Sequence, residues 1–242
     1  IENYFNYPFY CAHCWISPDM PKIKSRATLI VCPQSISYQW KEEIMKHTDH
    51  SYLNILMYES VATKYIQPSD LADNDIVVTT YETLKKELNF VYIPRVERFR
   101  NTKRFNSLPS PLLAINWWRI CLDEAQMVEG VTSKTAEMCL HLSSVNHWCI
   151  TGTPIQKSVN DLFGLILFIE QPPYFNRLWW DQLIYNSYSS YNFKPLIELL
   201  SRCFWRNTKK DVWDEIGIPE QTILVNALDF SPVEKHFYFR QK

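Results

Sequence analysis

The chain has 242 residues, of which 46% are hydrophobic and 21% charged, and its formal net charge is −1. Those values suit an ordinary globular protein with a sizeable core, as one large domain or two small ones. A near-neutral balance gives no bulk attraction to nucleic acid, so any such site must be local. No apolar run approaches the roughly 20 residues of a membrane span and no signal-peptide pattern opens the chain, so no membrane partner is expected.

The first segment, residues 1–17, is aromatic-rich and carries Cys11-Ala-His-Cys14. A CxxC pair supplies two of the four ligands of a structural zinc site, and His13 adds a third candidate. An accidental or redox-active pair is the other reading, although no βαβ unit surrounds it as in a thioredoxin-like motif. The chain opens without methionine, inside this aromatic stretch, which reads as a fragment of a longer protein.

From Ser25 the pattern changes to strands alternating with helices. Ala27–Cys32 is short, apolar and partly β-branched, as a buried strand is. Pro33-Gln34-Ser35 ends it, and Ser37–His47 has helical spacing with Tyr38, Trp40 and Ile44 apolar. Further strands are expected at Leu53–Tyr58 and Asp75–Thr80, then a helix over Tyr81–Leu88. Residues 89–116 read as an irregular insertion. Its stretch 95–104 carries five basic residues against one acidic, either a solvated loop or a set of phosphate contacts.

The strand Trp117–Leu122 delivers adjacent carboxylates, Asp123 and Glu124. A helix over Lys134–Leu142, a strand His147–Ile150, the turn Thr151-Gly152-Thr153-Pro154 and a helix over Val159–Ile169 follow. Residues 174–210 read as two or three helices, and Leu228–Pro232 as a strand leaving the domain. The alternation predicts an α/β fold, a parallel sheet with helices on both faces. Seven cysteines are an odd number. Five of them (Cys32, Cys121, Cys139, Cys149, Cys203) sit singly in apolar surroundings, as core thiols of a reducing compartment do.

Ligands of open α/β sheets bind beyond the carboxyl ends of strands. Asp123-Glu124 and Thr151-Gly152-Thr153 both stand there, one helix apart. An adjacent carboxylate pair can hold Mg²⁺ and activate water. With only four glycines, Gly130, Gly152, Gly164 and Gly217, neither a GxxxxGK[ST] phosphate loop nor a GxGxxG fingerprint is possible in these residues.

LDEAQ, ITGTPIQ and DLFGLILFI, in that order and spacing, resemble motifs II and III of the Swi/Snf-type superfamily-two helicase-like ATPases. LIVCPQSISYQWKEEI resembles motif Ia and DIVVTTYETL motif Ib. PLLAINWWRICLDEAQ is similar to the approach to motif II in the branch that also carries ubiquitin-ligase RING domains. WRNTKKDV resembles a basic signature near the end of the first lobe, and DFSPVEKHFYFRQ the exit toward the second. PFYCAHC resembles the last ligand pair of a PHD zinc finger.

The resemblance implies an incomplete RecA-like first lobe over residues 25–228, with its phosphate loop upstream, and an exit at 229–242. It implies ATP and Mg²⁺ as cofactors, with Asp123 orienting the metal, Glu124 as general base, and Thr151, Gly152, Thr153 and Gln126 around the nucleotide. Gly152 is expected to let backbone approach closely. Pro33, Gln34, Ser35, Thr79 and Thr80 would hold one DNA strand by its phosphates. Arg206, Lys209 and Lys210 are either structural or DNA-facing, and Trp40 is read as packing. Cys11 and Cys14 would bind Zn²⁺, with His13 a spacer.

The implied partners are duplex DNA or a nucleosome, a histone tail through the PHD finger, and a ubiquitin-conjugating enzyme through a RING outside these residues. The implied location is the nucleus. Three departures stand out: Gln126 replaces the usual His, Lys157 the usual Asn, and Glu129 a common basic or amide residue. They keep alive a second reading, a non-hydrolysing chromatin-reading scaffold.

Overall fold

The computed structural model describes residues 22–49, 52–91, 110–208, 211–212, 215, 217 and 222–241. Cys11, Cys14, the basic stretch 95–104, Lys209 and Lys210 lie outside the described residues. By contact the chain divides into two units, Ile1–Leu199 and Leu200–Lys242.

The first unit is built on a parallel sheet. Its strands are β1 (Ile23–Lys24), β2 (Thr28–Cys32), β3 (Ile55–Met57), β4 (Ile76–Thr80), β5 (Ile115–Asp123) and β6 (Ser143–Ile150). β3, β4, β2, β5 and β6 lie side by side in that order, every pair parallel. β1 pairs the start of β5 in line with β2.

Between the strands run α1 (Ser37–His47), α2 (Pro68–Ala72), α3 (Tyr81–Glu87) and α4 (Lys134–His141), and α5 (Asp161–Phe168) follows β6. After α5 come α6 (Arg177–Trp179), a π-helical stretch Trp180–Tyr185, α7 (Asn186–Ser189) and α8 (Lys194–Cys203).

Successive strand residues point to opposite faces, and both faces of β2 and β4 are covered. On one face Ile30, Cys32 and Val78 form a buried cluster, against which Ile36, Trp40 and Ile44 pack from α1 and the turn before it. The four-residue spacing of those three puts them on one stripe of the helix. On the other face Leu29, Val31, Val77, Ile120 and Leu122 are fully buried. α3 and α4 pack together, as do α4 and α5, and Phe168 of α5 meets the ring of His147 edge-on at 5.1 Å. Each fully buried aliphatic side chain stabilises the fold by about 1.5–3 kcal/mol.

The expected insertion over 89–116 runs too far. Leu112, Leu113, Ala114 and Ile115 are buried, in a 3₁₀ turn opened by Pro111 and in the first residue of β5. The indole N–H of Trp117 donates to the Leu112 carbonyl at 3.2 Å and ties that turn to the strand. β6 likewise starts four residues earlier than its apolar end suggested.

In the second unit the expected strand at Leu228–Pro232 is not found. Residues 222–230 have no regular structure, and Ser231 caps α9 (Pro232–Arg240). The sequence reason is a capping box: Ser231 accepts from the Glu234 N–H, Glu234 accepts from the Ser231 N–H, and Pro232 fills the first helical position.

Candidate functional site

A parallel sheet puts all its carboxyl ends on one rim. The register aligns Cys32 with Thr80, Val31 with Leu122, and Asp123 with Ile150. Four segments therefore open side by side: Pro33–Ser35 after β2, Thr79-Thr80 closing β4, Asp123-Glu124 after β5, and Thr151–Thr153 after β6. This is the rim where ligands of open α/β sheets bind.

Asp123 is half-buried and held at three atoms. Its Oδ1 accepts from the Glu124 N–H at 2.9 Å, and its Oδ2 from the Trp40 indole N–H at 2.7 Å. Its backbone carbonyl accepts from the Tyr81 hydroxyl at 2.8 Å. Glu124 is exposed and lies in the left-handed region, φ 51° and ψ 49°. That conformation costs a non-glycine residue about 1–2 kcal/mol, and strain of this kind collects at functional sites. A 3₁₀ turn over Ala125–Val128 starts at this bend, with Ala125 and Val128 buried beneath it.

One amide joins the two motif-bearing strand ends. Gln126 donates through Nε2 to Glu124 Oε2 at 2.7 Å, and its Oε1 accepts the Thr151 hydroxyl at 2.6 Å. Thr151 Oγ1 in turn accepts the Thr153 N–H at 3.1 Å. Gln126 thus uses both its donor and its acceptor. Asp161, at the start of α5, anchors the loop after Thr153. Its Oδ2 accepts the N–H groups of Gln156, Lys157 and Ser158 at 2.9, 2.6 and 3.0 Å. Those backbone bonds, that of Lys157 first, hold its carboxyl below the usual carboxylate range.

The thiols near the rim are not reactive groups. Burial pushes Cys32 up to about 12, assisted by Asp123, and burial raises Cys121 as well. A neutral, buried thiol is a poor nucleophile and metal ligand.

The expected nucleic-acid residues divide. Gln34 and Ser35 are exposed and Pro33 half-buried. Thr79 and Thr80 are only 1% and 5% exposed, and their hydroxyls are already used. Thr79 donates to the Tyr58 carbonyl, and Thr80 bonds Thr83 while capping α3. A hydroxyl contact from either to DNA would require breaking those bonds. Arg206 is exposed in the second unit.

Among the described residues no other part of the chain crowds Gly152. A side chain there meets nothing within 4 Å and its φ is not positive. The close approach is at Gly164 of α5, where a Cβ would stand 2.5 Å from the Glu129 carbonyl oxygen and 2.7 Å from that of Val128. Glycine at 164 lets α5 seat directly against the turn that carries Gln126.

Sequence reasoning assigned Trp40 to packing and passed over Tyr81, Asp161 and Gly164. Asp161 carried a signal, a short acid opening an apolar helical run. Trp40 and Tyr81 carried none, because their polar atoms matter only through partners 83 and 42 residues away. Among the described residues no group of three or more His, Cys, Asp or Glu stands ready to hold a metal ion. No helix among them is long and apolar enough to cross a membrane.

Human and mouse E3 ubiquitin-protein ligase SHPRH are each 49% identical over 240 residues, 97% of this chain and 14% of the relative. DNA repair protein RAD5 of Mycosarcoma maydis is 27% identical over 223 residues, 89% of this chain and 16% of that protein. This chain therefore spans about one seventh of the length of these curated relatives. In fold it is similar to the Sulfolobus solfataricus SWI2/SNF2 ATPase core solved in complex with dsDNA, at a TM-score of 0.57 and 24% identity over 77% of this chain and 34% of that one. The family model of the SNF2-related domain matches residues 12–242. The chain belongs to the SNF2-related domain family.

Proposed function

We propose that these residues form most of the first RecA-like lobe of a DNA-stimulated ATPase that translocates on duplex DNA. The observation that carries this reading is the hydrogen-bonded chain Glu124–Gln126–Thr151 beside Asp123, joining two strand ends at one rim. Carboxylate and hydroxyl oxygens at a strand end suit a hard cation such as Mg²⁺, so the donor set fits the metal side of an ATP site. The phosphate-cradling loop is not among the four glycines, and the reading assigns it to a part of the longer protein outside these residues.

Bound Mg²⁺ would supply neutralisation of phosphate charge. Asp123, its carboxylate plane fixed by two N–H donors, would orient the metal. Glu124 projects from an exposed, strained bend and would accept a proton from attacking water at a carboxylate oxygen. Gln126 keeps that carboxylate in register with Thr151, so a change at either strand end reaches the other. Gln34, Ser35 and the backbone at Pro33 would hold one strand by its phosphates, contacts that carry little sequence information and suit movement along DNA.

In the full-length protein this motor would work in the nucleus on duplex DNA or nucleosomes. It would be coupled to a ubiquitin ligase, as the names of the SHPRH relatives support, and would meet its ubiquitin-conjugating enzyme through a RING. Cys11 and Cys14 would complete a PHD-type zinc site able to take a histone tail. By themselves residues 1–242 would not turn over ATP. The test is ATP turnover by the full-length protein with and without duplex DNA, beside Glu124→Gln. DNA-stimulated turnover that the substitution abolishes is expected; equal, negligible turnover in both at saturating DNA would overturn the reading.

A further inference from the structure

Three donors converge on Asp123, and two of them come from outside its own strand. Trp40 lies in α1, the helix that Pro33–Ser35 lead into. Tyr81 is the first residue of α3, directly after Thr79-Thr80. Each segment that the family resemblance assigns to a DNA strand therefore sends one side chain to the residue assigned to the metal. They arrive on opposite faces of the sheet. Trp40 packs on the cluster of Ile30, Cys32 and Val78, whereas Tyr81 lies near Cys139 and Cys149.

A buried indole N–H or phenol O–H needs some acceptor, and a nearby carbonyl would satisfy either. Trp40 instead meets a carboxylate, at a charge-assisted distance of 2.7 Å. With Glu124 N–H on Oδ1 and Trp40 on Oδ2, the carboxylate plane is fixed at both oxygens. Each oxygen has two lone pairs, so each keeps one for a ligand at the rim. Tyr81 fixes the backbone of the same residue through its carbonyl.

We infer that Trp40 and Tyr81 are positioning residues that clasp Asp123 from α1 and α3, so that displacement of α1 by a DNA strand bound at Pro33–Ser35 changes divalent-cation affinity at Asp123. The inference rests on the proposed reading of Asp123 as the metal-side carboxylate. It adds a route between the two sites that runs through single side chains rather than through the sheet as a whole.

The test is Mn²⁺ binding by the full-length protein with a non-hydrolysable ATP analogue, read by electron paramagnetic resonance, with and without duplex DNA. Trp40→Phe keeps an aromatic ring on the apolar cluster and removes the N–H. It is expected to weaken Mn²⁺ about ten-fold, the scale for an outer-shell partner of a metal ligand, and to abolish the change DNA causes. Tyr81→Phe should act in the same direction by less, and it carries the test if Trp40→Phe does not fold. Ile184→Ala opens a packing defect in the buried side of the π-helical stretch, outside α1, α3 and β5, and should leave Mn²⁺ affinity unchanged.

Mn²⁺ binding by Trp40→Phe that is indistinguishable from wild type overturns the inference. So does an equal loss in Ile184→Ala, which would assign the effect to packing in general. Glu124→Gln, run in parallel, separates the two readings. If the wild type binds Mn²⁺ with the analogue yet neither it nor Glu124→Gln turns over ATP, the motor reading falls and the Trp40 comparison still decides the clasp. If the wild type binds no Mn²⁺, both fall.

Discussion

The ends of β4 and β5 look alike in sequence and differ in what they offer. Val77-Val78-Thr79-Thr80 and Cys121-Leu122-Asp123-Glu124 are both apolar pairs closing on two polar residues at the same rim of the sheet. At β4 the hydroxyls turn inward and are consumed by the Tyr58 carbonyl and by the cap of α3. At β5 one carboxylate is clasped and the other stands in solvent on a strained bend. A hydroxyl can be satisfied inside a core by one or two bonds, whereas an ionised carboxylate is costly to bury unless paired. Strand-end position marks where a ligand site can be; the charge of the residue decides whether it stays available.

The largest expected difference between the two ends is in chemistry. Glu124→Gln should lower ATP turnover by at least about 100-fold while leaving the thermal midpoint near wild type. A comparable fall in stability would make Glu124 another structural residue and erase the contrast with β4. Next, Gly164→Ala forces a methyl group against two backbone carbonyls, which costs about 1–3 kcal/mol as overpacking does. Denaturant unfolding should register that loss, and turnover should fall further than stability alone explains, because the displaced turn carries Gln126.

At β4, Thr80→Ala removes a helix cap and should cost about 1 kcal/mol with DNA affinity unchanged in an equilibrium binding titration. Weaker DNA binding at unaltered stability would break the comparison outright. The smallest effect concerns Asp161. Its carboxyl is held below the ordinary range in the folded state. Its contribution is therefore present above the unfolded value, near pH 4, and is lost as pH falls through the folded one. Hydrogen exchange at Gln156, Lys157 and Ser158 should accelerate across that acid window, and Asp161→Asn should flatten the dependence.

The sheet was legible in the sequence because buried parallel strands read as short apolar runs, and β2, β4 and α1 stand within a residue of where the pattern puts them. β5 and β6 were underestimated at their starts. Their first residues, Ile115-Asn116 and Ser143–Asn146, are mostly polar, and the side-chain bonds that join them, Ser143 to Asn116 and Asn146 to the Trp118 carbonyl, leave no periodic signal. The strand expected at Leu228–Pro232 failed because a capping box read from Ser231 to Glu234 outweighs a short apolar run. At the site, the residue types of Asp123, Glu124, Gln126 and Thr151 were visible, but the bonds joining them were not. Trp40 shows why: its spacing marks the apolar stripe of α1, and no periodicity reveals where an indole N–H points.

The left-handed bend at Glu124 also bears on how this protein tolerates change. Two requirements meet at that position and favour different residues. Backbone geometry is best served by glycine, which carries no penalty there, or by asparagine, and neither can take a proton as a carboxylate does. Aspartate would tolerate the bend and keep the charge, yet it is one methylene too short to place its oxygens where Gln126 now meets them. A screen that rewards thermal stability alone should therefore enrich glycine at 124 and return robust, inert protein, the trade-off expected where a functional residue is held in strain.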